Sequence, residues 1–316
     1  MQATCFEMPD DTMLLLDGGK YSGSGAIVRF GVALAALTGQ ELRLTNIRAR
    51  RDHPGLRPQH VTAVQAVGSL CCGSLDLATV GSRELVFSPG PLSQGGMFQW
   101  NIGTAGSTTM LALSLLPIAA FAAQPCTFRL AGGVFQDFAP SAFHFQHALL
   151  PLLGRMGLKA ELRMLQPGYI PKGSGAIELR VEPVHGALTP LVLLEWGSLR
   201  KLWGIALSSH LQQRRVSHRM AERCQQTLAR RGLKADMDIV YDEAAIQPGA
   251  CLALFAESTS GAILGSDQPG AIGRRAESID EFVARTLLEG QHVRIRGVNY
   301  IRNWDPDWRT RRDNGR

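Results

Sequence analysis

Arginine and histidine are concentrated in one short segment of the chain, the thirteen residues RARRDHPGLRPQH that run from Arg48 to His60. Proline and glycine interrupt the segment, so we predict a loop. Guanidinium groups placed this close together repel one another, and anions of the protein or of a ligand must balance them. The segment therefore predicts an anion-binding site, with a solvated basic turn as the alternative.

A glycine-rich stretch, LLLDGGKYSGSGAIVR, runs from Leu14 to Arg29. Its pattern predicts a strand, a tight loop and a helix whose apolar spacing begins at Ile27. Free amides and the helix dipole attract anions at such a place, and Arg29 adds a positive charge. The spacing fits neither G-x-G-x-x-G nor a Walker A loop. We predict an anion site at Gly23, Ser24 and Gly25, with a flexible connection without a ligand as the alternative.

A second small-residue loop, GTAGSTT, also precedes an apolar helical pattern. Its candidate anion-binding residues are Gly103, Thr104, Gly106 and Ser107. The alternative is a plain helix entry capped by Thr104 or Ser107. Three anion-binding features in one chain would favour a polyphosphate or a nucleic-acid terminus over a single small anion.

Composition narrows the class of protein. The 316 residues are 45% hydrophobic, which predicts a substantial core and two domains, and the net charge of +6 is compatible with nucleic acid. Six cysteines without a C-x-x-C pair predict buried free thiols in a reducing compartment. No apolar run reaches the length of a membrane span, and no secretory signal is seen at the N-terminus. We therefore expect a cytoplasmic protein.

The sequence gives less support to other kinds of catalytic site. The chain has no G-x-S-x-G elbow and no H-E-x-x-H helix. His144 and His147 lie three residues apart on one predicted helix, but packing or surface roles are favoured over a zinc site. Trp304 and Trp308, interleaved with arginines in the tail, could stack on bases, although an irregular tail is the favoured interpretation.

The order of predicted elements repeats. Residues 13–182 contain the order β-α-β-α-β-β twice, each time with a glycine-rich loop between the first strand and the first helix, which predicts an α+β fold of α/β layers. Residues 183–289 predict a smaller α/β unit, which includes a strand at Leu191–Leu194 and a final helix at Glu277–Leu288. Residues 290–316 form a basic tail, and residues 1–12 an N-terminal extension.

Five segments resemble, in order and spacing, the RNA 3′-terminal phosphate cyclases. They are LDGGKYSGSGAIVR, IRARRDHPGLRPQHVTAV, IGTAGSTTMLALSLLP, GYIPKGSGAIEL and AESTSGAILGSDQPGAIGRRAESI. The resemblance runs from about Met13 to Glu289. It implies a large domain of repeated β-α-β-α-β-β units, similar to the C-terminal domain of translation initiation factor three, and an inserted smaller α/β domain at residues 183–289.

The resemblance also implies a reaction. In that family a histidine attacks the α-phosphate of ATP, with Mg²⁺ or Mn²⁺ present, and forms an adenylyl-histidine. AMP then passes to an RNA 3′-phosphate, and the neighbouring 2′-hydroxyl displaces AMP to leave a 2′,3′-cyclic phosphate. The residues on family motif positions, which by resemblance line the phosphate and RNA-end site, are Arg29, Arg48, Arg51, Gln59 and His60.

The chain also departs from the family pattern. Ser22 stands where a glutamate is common, and Ala26 and Leu113 stand where glutamines are common. No residue matches the nucleophilic histidine, and His292 lies in a different context. We therefore expect the third repeat to be missing and cyclisation to be weak or absent. The alternatives are a non-catalytic RNA-binding protein of RNA processing or ribosome assembly, and a truncated or frameshifted product.

Overall fold

The computed structural model describes residues 13–21, 23–136, 139–270, 279 and 282–283, together with the backbone of residues 292–295 and 298–301. These residues divide into two compact units. The first is formed within Met1–Gly132, Gly157–Glu161 and Ile177–Leu188. The second is formed within Gly133–Met156, Leu162–Ala176 and Thr189–Arg316. In the described part of the chain, no helix is long and apolar enough to cross a membrane.

The first repeat has the element order expected from the sequence. Its elements are β1 (Leu14–Asp17), α1 (Gly25–Thr38), β2 (Leu42–Thr45), α2 (Pro58–Leu70), β3 (Ser74–Asp76) and β4 (Leu85–Ser88). The strands form a sheet in the order β1-β2-β4-β3, in which β1 and β2 are parallel and the other pairs antiparallel. Helix α1 ends at Gly39, whose left-handed conformation closes the helix as its sequence predicts.

The second repeat reproduces the first. Its elements are β5 (Gly96–Asn101), α3 (Thr108–Ala120), β6 (Cys126–Gly132), α4 (Ala142–His144), a π-helical turn (Phe145–Leu149), α5 (Leu150–Arg155), β7 (Ala160–Gln166) and β8 (Gly175–Val181). The sheet order β5-β6-β8-β7 matches that of the first sheet position by position. The predicted internal repeat of an α+β fold is thus confirmed.

The helix predicted at Phe143–Met156 is not a single α-helix. A π-helical turn separates α4 from α5, and the N–H of Leu150 donates to the carbonyl of Phe145, five residues earlier. Pro151 follows at once and has no N–H to continue the α-helical ladder, so the helix takes up one extra residue at this point. The predicted helix is thus confirmed, but it includes a π-helical turn that the sequence did not predict.

The remaining elements follow residue 198. They are β9 (Leu199–Ser209), α6 (Val216–Ala229), β10 (Asp236–Asp242), β11 (Gly249–Ser258), β12 (Ile263–Gly270), β13 (His292–Ile295) and β14 (Val298–Ile301). The first four strands form a sheet in the order β10-β9-β11-β12, and β13 pairs with β14. Buried side chains of β9, β11 and α6 form a core with Phe282 and Val283.

Three differences from the predicted elements concern this last region. Residues 191–194 are not a strand, and Val192 and Leu194 are 66% and 90% exposed, because an apolar run forms a strand only where a neighbour completes its hydrogen bonds. Strand β12 and the β13–β14 hairpin were not predicted. Of the helix predicted at Glu277–Leu288, only Ile279, Phe282 and Val283 lie inside the described residues, and all three are helical.

The prediction of free thiols holds for the cysteines that the structure describes. Cys71, Cys126, Cys224 and Cys251 are buried and free. Cys72 is free but exposed, which differs from the expectation. Burial raises the pKa of the four buried thiols, so they stay protonated.

Candidate phosphate-binding site

Helices α1, α2 and α3 pack on one another within the first unit, and their N-terminal ends carry most of the predicted site residues. Apolar side chains hold the helices together, among them Val32 of α1, Val64 of α2 and Leu115 of α3, each fully buried. Contact among the helices positions Arg29, Gln59 and His60, since these side chains project from the same packed helices. Three of the predicted side chains are therefore held by packed helices.

Arg29 lies one turn into α1 and is only 6% exposed. Its Nε atom is buried and has no hydrogen-bond partner among the described residues. Burial, and secondarily the nearby charge of Arg48, lowers the pKa of Arg29 to about 10. The guanidinium therefore remains charged at neutral pH, in a place where the protein offers that nitrogen no acceptor.

His60 belongs to the first turn of α2 and is 2% exposed. Its Nδ1 accepts a hydrogen bond of 3.0 Å from the backbone N–H of Arg57, which leaves the proton on Nε2 in the neutral ring. Burial lowers the pKa of His60 to about 3, and the charges of Arg29, Arg48 and Arg57 add to the effect. His60 is therefore a neutral hydrogen-bond donor at physiological pH.

Glycine is required where His60 meets helix α1. A Cβ on Gly25 would overlap Nε2 of His60, so only a residue without a side chain fits there. Ser24 precedes it as the N-cap of α1, and its hydroxyl accepts from the N–H of Ala26 at 3.3 Å. The predicted residues Gly23, Ser24 and Gly25 thus form the entry to α1, directly against His60. Ser22 lies outside the described residues.

The basic loop is held partly by its own backbone. Arg48, in a left-handed conformation with φ of 54°, donates through Nη1 to the carbonyls of His53 at 2.6 Å and Gly55 at 3.0 Å. Arg50 donates to the carbonyl of Tyr21 at 3.3 Å. The loop therefore binds one nitrogen of Arg48 through its own carbonyls, and Arg50 joins it to the glycine-rich loop. Arg51 is exposed, and its charge contributes to lowering the pKa of Arg48.

The second glycine loop is joined to α2 by a side chain. Oε1 of Gln59 accepts a hydrogen bond of 3.3 Å from the N–H of Ser107. A Cβ on Gly106 would lie 2.7 Å from the Cβ of Gln59, so the close approach needs glycine. Ser107 caps α3 by accepting from the N–H of Met110 at 3.0 Å, and this is one of the two caps considered for this helix entry.

Two further predicted residues, Gly103 and Thr104, shape the same loop. The N–H of Gly103 donates to Oδ1 of Asn101 at 2.8 Å, and Oγ1 of Thr104 accepts from the N–H of Gly106 at 3.2 Å. Both residues are exposed, which leaves the loop open to a ligand. The structure thus brings the loop to Gln59.

Arg57 was not among the predicted site residues. Its backbone orients the imidazole of His60, and its charge contributes to keeping that ring neutral. The signal in the sequence was the spacing, since a residue three positions before His60 faces it across the first turn of a helix. The predicted loop extends to His60, whereas α2 begins at Pro58 with Arg57 as its N-cap.

The two predicted histidines outside this site pack against aromatic rings of the second unit. The ring of His147 lies 5.2 Å from Phe255, and Nδ1 of His144 lies 3.9 Å from a carboxylate oxygen of Asp267. Burial lowers the pKa of both. In the described part of the chain, no three histidine, cysteine or acidic side chains are grouped to hold a metal ion. These contacts agree with the packing role that the sequence favoured.

Comparison with known proteins gives one consistent family. The family model described as RNA 3′-terminal phosphate cyclase matches residues 20–288. A protein of that name from Caldivirga maquilingensis is 34% identical over 280 residues, which cover 87% of this chain and 78% of that protein. One from Ignicoccus hospitalis is 36% identical over 88% of this chain and 79% of its own length. A third, from Nitrosospira multiformis, is 41% identical over 65% and 58%.

Proposed function

Because the chain belongs to the RNA 3′-terminal phosphate cyclase family, we propose that the cluster around Arg29 and His60 binds the terminal phosphate of RNA 3′ ends, with ATP as the second substrate. The proposed residues for the phosphate and RNA end are Arg29, Arg48, Arg51, Gln59 and His60. The two glycine-rich loops, at residues 23–25 and 103–107, are proposed to border the bound phosphates. One observation carries the proposal, namely the buried Nε of Arg29, which has no hydrogen-bond partner in the part of the chain that the structure describes.

A buried guanidinium without an acceptor is costly. Removing a charge from water costs several kcal/mol unless an opposite charge or good hydrogen bonds compensate. The charge that acts on Arg29 within the protein is the like charge of Arg48, which makes the cost larger. A phosphate group would supply both the negative charge and the acceptor oxygens, and the planar guanidinium fits it in a bidentate manner.

Neighbouring groups suit the same ligand. His60 is neutral, and its Nε2–H is a donor that does not need to lose a proton before it contacts a phosphate oxygen. Helices α1 and α3 both begin with a serine cap and a glycine-rich loop, and the positive end of the helix dipole at such an entry favours an anion. Two such helix entries give room for more than one phosphate, as ATP and an RNA end together would need.

The divalent cation that the family reaction uses is a separate matter. The charges that act on His60 are those of three arginines, and a cationic cluster of this kind does not fit Mg²⁺ or Mn²⁺. We therefore assign the metal no protein ligand. We also assign no nucleophile, since no histidine of the chain matches the family motif, and we propose binding of both substrates without self-adenylylation.

Fluorescence anisotropy with two labelled RNA oligonucleotides tests the binding proposal. One ends in a 3′-phosphate and the other in a 3′-hydroxyl, and their sequences are the same. We expect at least a tenfold preference for the phosphate end, and loss of that preference in Arg29→Gln but not in the control Arg83→Gln, which removes an exposed arginine. Equal affinities for the two RNAs in the unsubstituted protein would refute the proposal.

Incubation with ATP labelled in the α-phosphate tests the chemistry. We expect no label to remain on the protein after denaturation. A labelled protein would contradict the absence of a nucleophile, and peptide mapping would then identify the modified residue.

A further inference from the structure

Positive charge is concentrated in a second place, far along the sequence from the basic loop. Residues 212–234 contain seven arginine and lysine residues and one glutamate, which is a net charge of +6. The formal net charge of all 316 residues has the same value. The remainder of the chain is therefore balanced, and this segment accounts for the excess.

The segment contains α6 and its two flanking turns. Ala221, Cys224 and Leu228 pack inward on the core of the second unit. The outward residues include five arginines, which we call the α6 arginine surface: Arg214, Arg215, Arg219, Arg230 and Arg231. All five are exposed, and residues 215 and 219 are neighbours one turn apart.

Ion pairs do not account for these arginines. Arg215 reaches Glu222 only at 3.9 Å, with both side chains more than half exposed. Within the described residues, no carboxylate oxygen lies within 4.0 Å of the guanidinium groups of Arg214, Arg219, Arg230 or Arg231. The stability of α6 does not account for the three arginines at its N-terminal end, Arg214, Arg215 and Arg219, either. Cations at the N-terminal end oppose the helix dipole, and the first turn contains no acidic residue.

Negative charge lies on the other face of the same sheet. Asp236, Asp238 and Asp242 of β10 stand beside Trp203, Ile205 and Ser209 of β9 in the parallel register. The alternate residues of β9, Leu202 and Ala206, belong to the core that α6 covers. Because successive side chains of a strand point to opposite faces, the aspartates lie on the face away from α6. The sheet thus separates a basic surface from an acidic one.

We propose that the α6 arginine surface binds the phosphate backbone of single-stranded RNA without reading its sequence or its 3′ end. Arginine is the side chain best suited to phosphate, and four glutamines of the same segment add amide donors. A stacked, half-buried pair of rings, His218 and Tyr241 with centroids 5.6 Å apart, borders the helix. The identity of the partner as RNA rests on the proposed function of the Arg29 site.

The test compares two variants of equal charge change. The surface variant carries Arg214→Gln, Arg219→Gln, Arg230→Gln and Arg231→Gln. The control carries Arg83→Gln, Lys159→Gln, Lys172→Gln and Arg180→Gln, which are also exposed. Circular dichroism first establishes that both are folded. Anisotropy with a 20-nucleotide RNA, in its 3′-phosphate and 3′-hydroxyl forms, is then measured between 50 and 200 mM salt.

We expect the surface variant to bind both RNAs about tenfold more weakly at 100 mM salt. Its plot of log affinity against log salt should lose about 3 from its slope, since each contact with a single strand contributes about 0.7. The control should change the slope by less than 1, and the preference for the phosphate end should survive in the surface variant. A loss shared equally with the control would overturn the proposal, because net charge alone would then explain it.

Two other outcomes separate this proposal from its premise. If the unsubstituted protein shows no preference for the phosphate end but the surface variant still loses salt-dependent affinity, the function proposed for Arg29 fails and the α6 surface stands. If phosphatidylserine vesicles bind the unsubstituted protein but not the surface variant, and RNA binds both equally, the surface belongs to a membrane and the RNA proposal fails.

Discussion

Nε2 of His60 fills the volume that a side chain at Gly25 would occupy, so helices α1 and α2 meet through an imidazole and a residue without a Cβ. This contact holds together two features that are 35 positions apart in the sequence. It places the neutral ring at the entry of α1. A substitution at either residue therefore alters the packing of the other.

Gly25→Ala should destabilise the protein, because the new methyl group overlaps His60 and forces one of the two helices to shift. We expect a loss of about 1–3 kcal/mol in the free energy of unfolding, measured by urea denaturation. His60→Ala in the same protein should recover part of that loss, so that the two changes are not additive. Gly154→Ala is the matched control, since nothing lies within 4 Å of a Cβ there. Strict additivity would mean that the overlap is relieved elsewhere.

Arg29→Met should make the ligand-free protein more stable while it removes the preference for 3′-phosphate RNA. The change replaces a buried charge with an apolar chain of similar length, and such replacements are neutral or stabilising by about 1–4 kcal/mol. Urea denaturation gives the first quantity and anisotropy the second, with Arg83→Met as the exposed control. A less stable Arg29→Met protein would indicate that the guanidinium is compensated in the folded state.

Stability should fall as the pH is lowered from 7 to 5, in part because of His60. Its pKa is about 3 in the folded protein and 6.5 in the unfolded chain, so between these values only the unfolded chain binds the proton. At pH 5 the expected cost is about 2 kcal/mol from this residue. The difference between the unsubstituted protein and His60→Asn, in urea denaturation at several pH values, isolates this contribution from those of His144 and His147. A difference that is constant with pH would contradict the neutral state of the ring.

Gln59→Ala and Gln59→Glu separate the two roles of the residue. Alanine removes the acceptor for the N–H of Ser107 and should cost about 1 kcal/mol of stability, whereas glutamate retains an acceptor. Glutamate should nevertheless weaken binding of 3′-phosphate RNA by tenfold or more, since it adds a negative charge beside the phosphate. Gln65→Glu, on an exposed position of the same helix, should change neither quantity much. Equal affinities of the Gln59→Glu and Gln65→Glu proteins would exclude residue 59 from the site.

Tyr169→Phe should destabilise the second unit without affecting the phosphate preference. The hydroxyl of Tyr169 lies 2.9 Å from Oγ of Ser209, which donates to Asp242 at 2.8 Å, and burial raises the pKa of Tyr169. Removal of the hydroxyl leaves this buried chain of hydrogen bonds incomplete, at a cost of about 1–3 kcal/mol. Thermal unfolding and anisotropy measure the two effects. A changed ratio of affinities for the two RNA ends would show that the network reaches the binding site.

Local patterns were sufficient for most of the fold. The apolar spacing of α1 and its terminal glycine at residue 39 depend on near neighbours, and both were predicted. The repeat was visible because both copies preserve the same order of elements. The π-helical turn before Pro151 was missed because an extra residue in a helix leaves the apolar pattern almost unchanged. The strand prediction at Leu191–Leu194 was wrong for the opposite reason, since the pattern fits a strand but no neighbouring strand completes its hydrogen bonds.

For the site, the sequence predicted which residues gather there better than it predicted the role of each one. Arg29 and Arg48 were both proposed as ligands of an anion, and the sequence could not distinguish them. The fold does, because Nη1 of Arg48 donates to two carbonyls of its own loop, whereas the Nε of Arg29 has no partner among the described residues. The role of Arg57 depends on where α2 begins, and a difference of two residues in that boundary was enough to hide it.

The matching order of the two sheets, β1-β2-β4-β3 and β5-β6-β8-β7, places both glycine loops at the same point of a duplicated unit. The arginines, however, follow only the first copy: the loop after β2 carries four of them, and residues 133–141 after β6 carry none. The two repeats have thus specialised: the first supplies charged side chains, and the second supplies backbone dipoles. Exchange of the two loops between the repeats would therefore preserve the architecture but move the guanidinium groups to the second repeat.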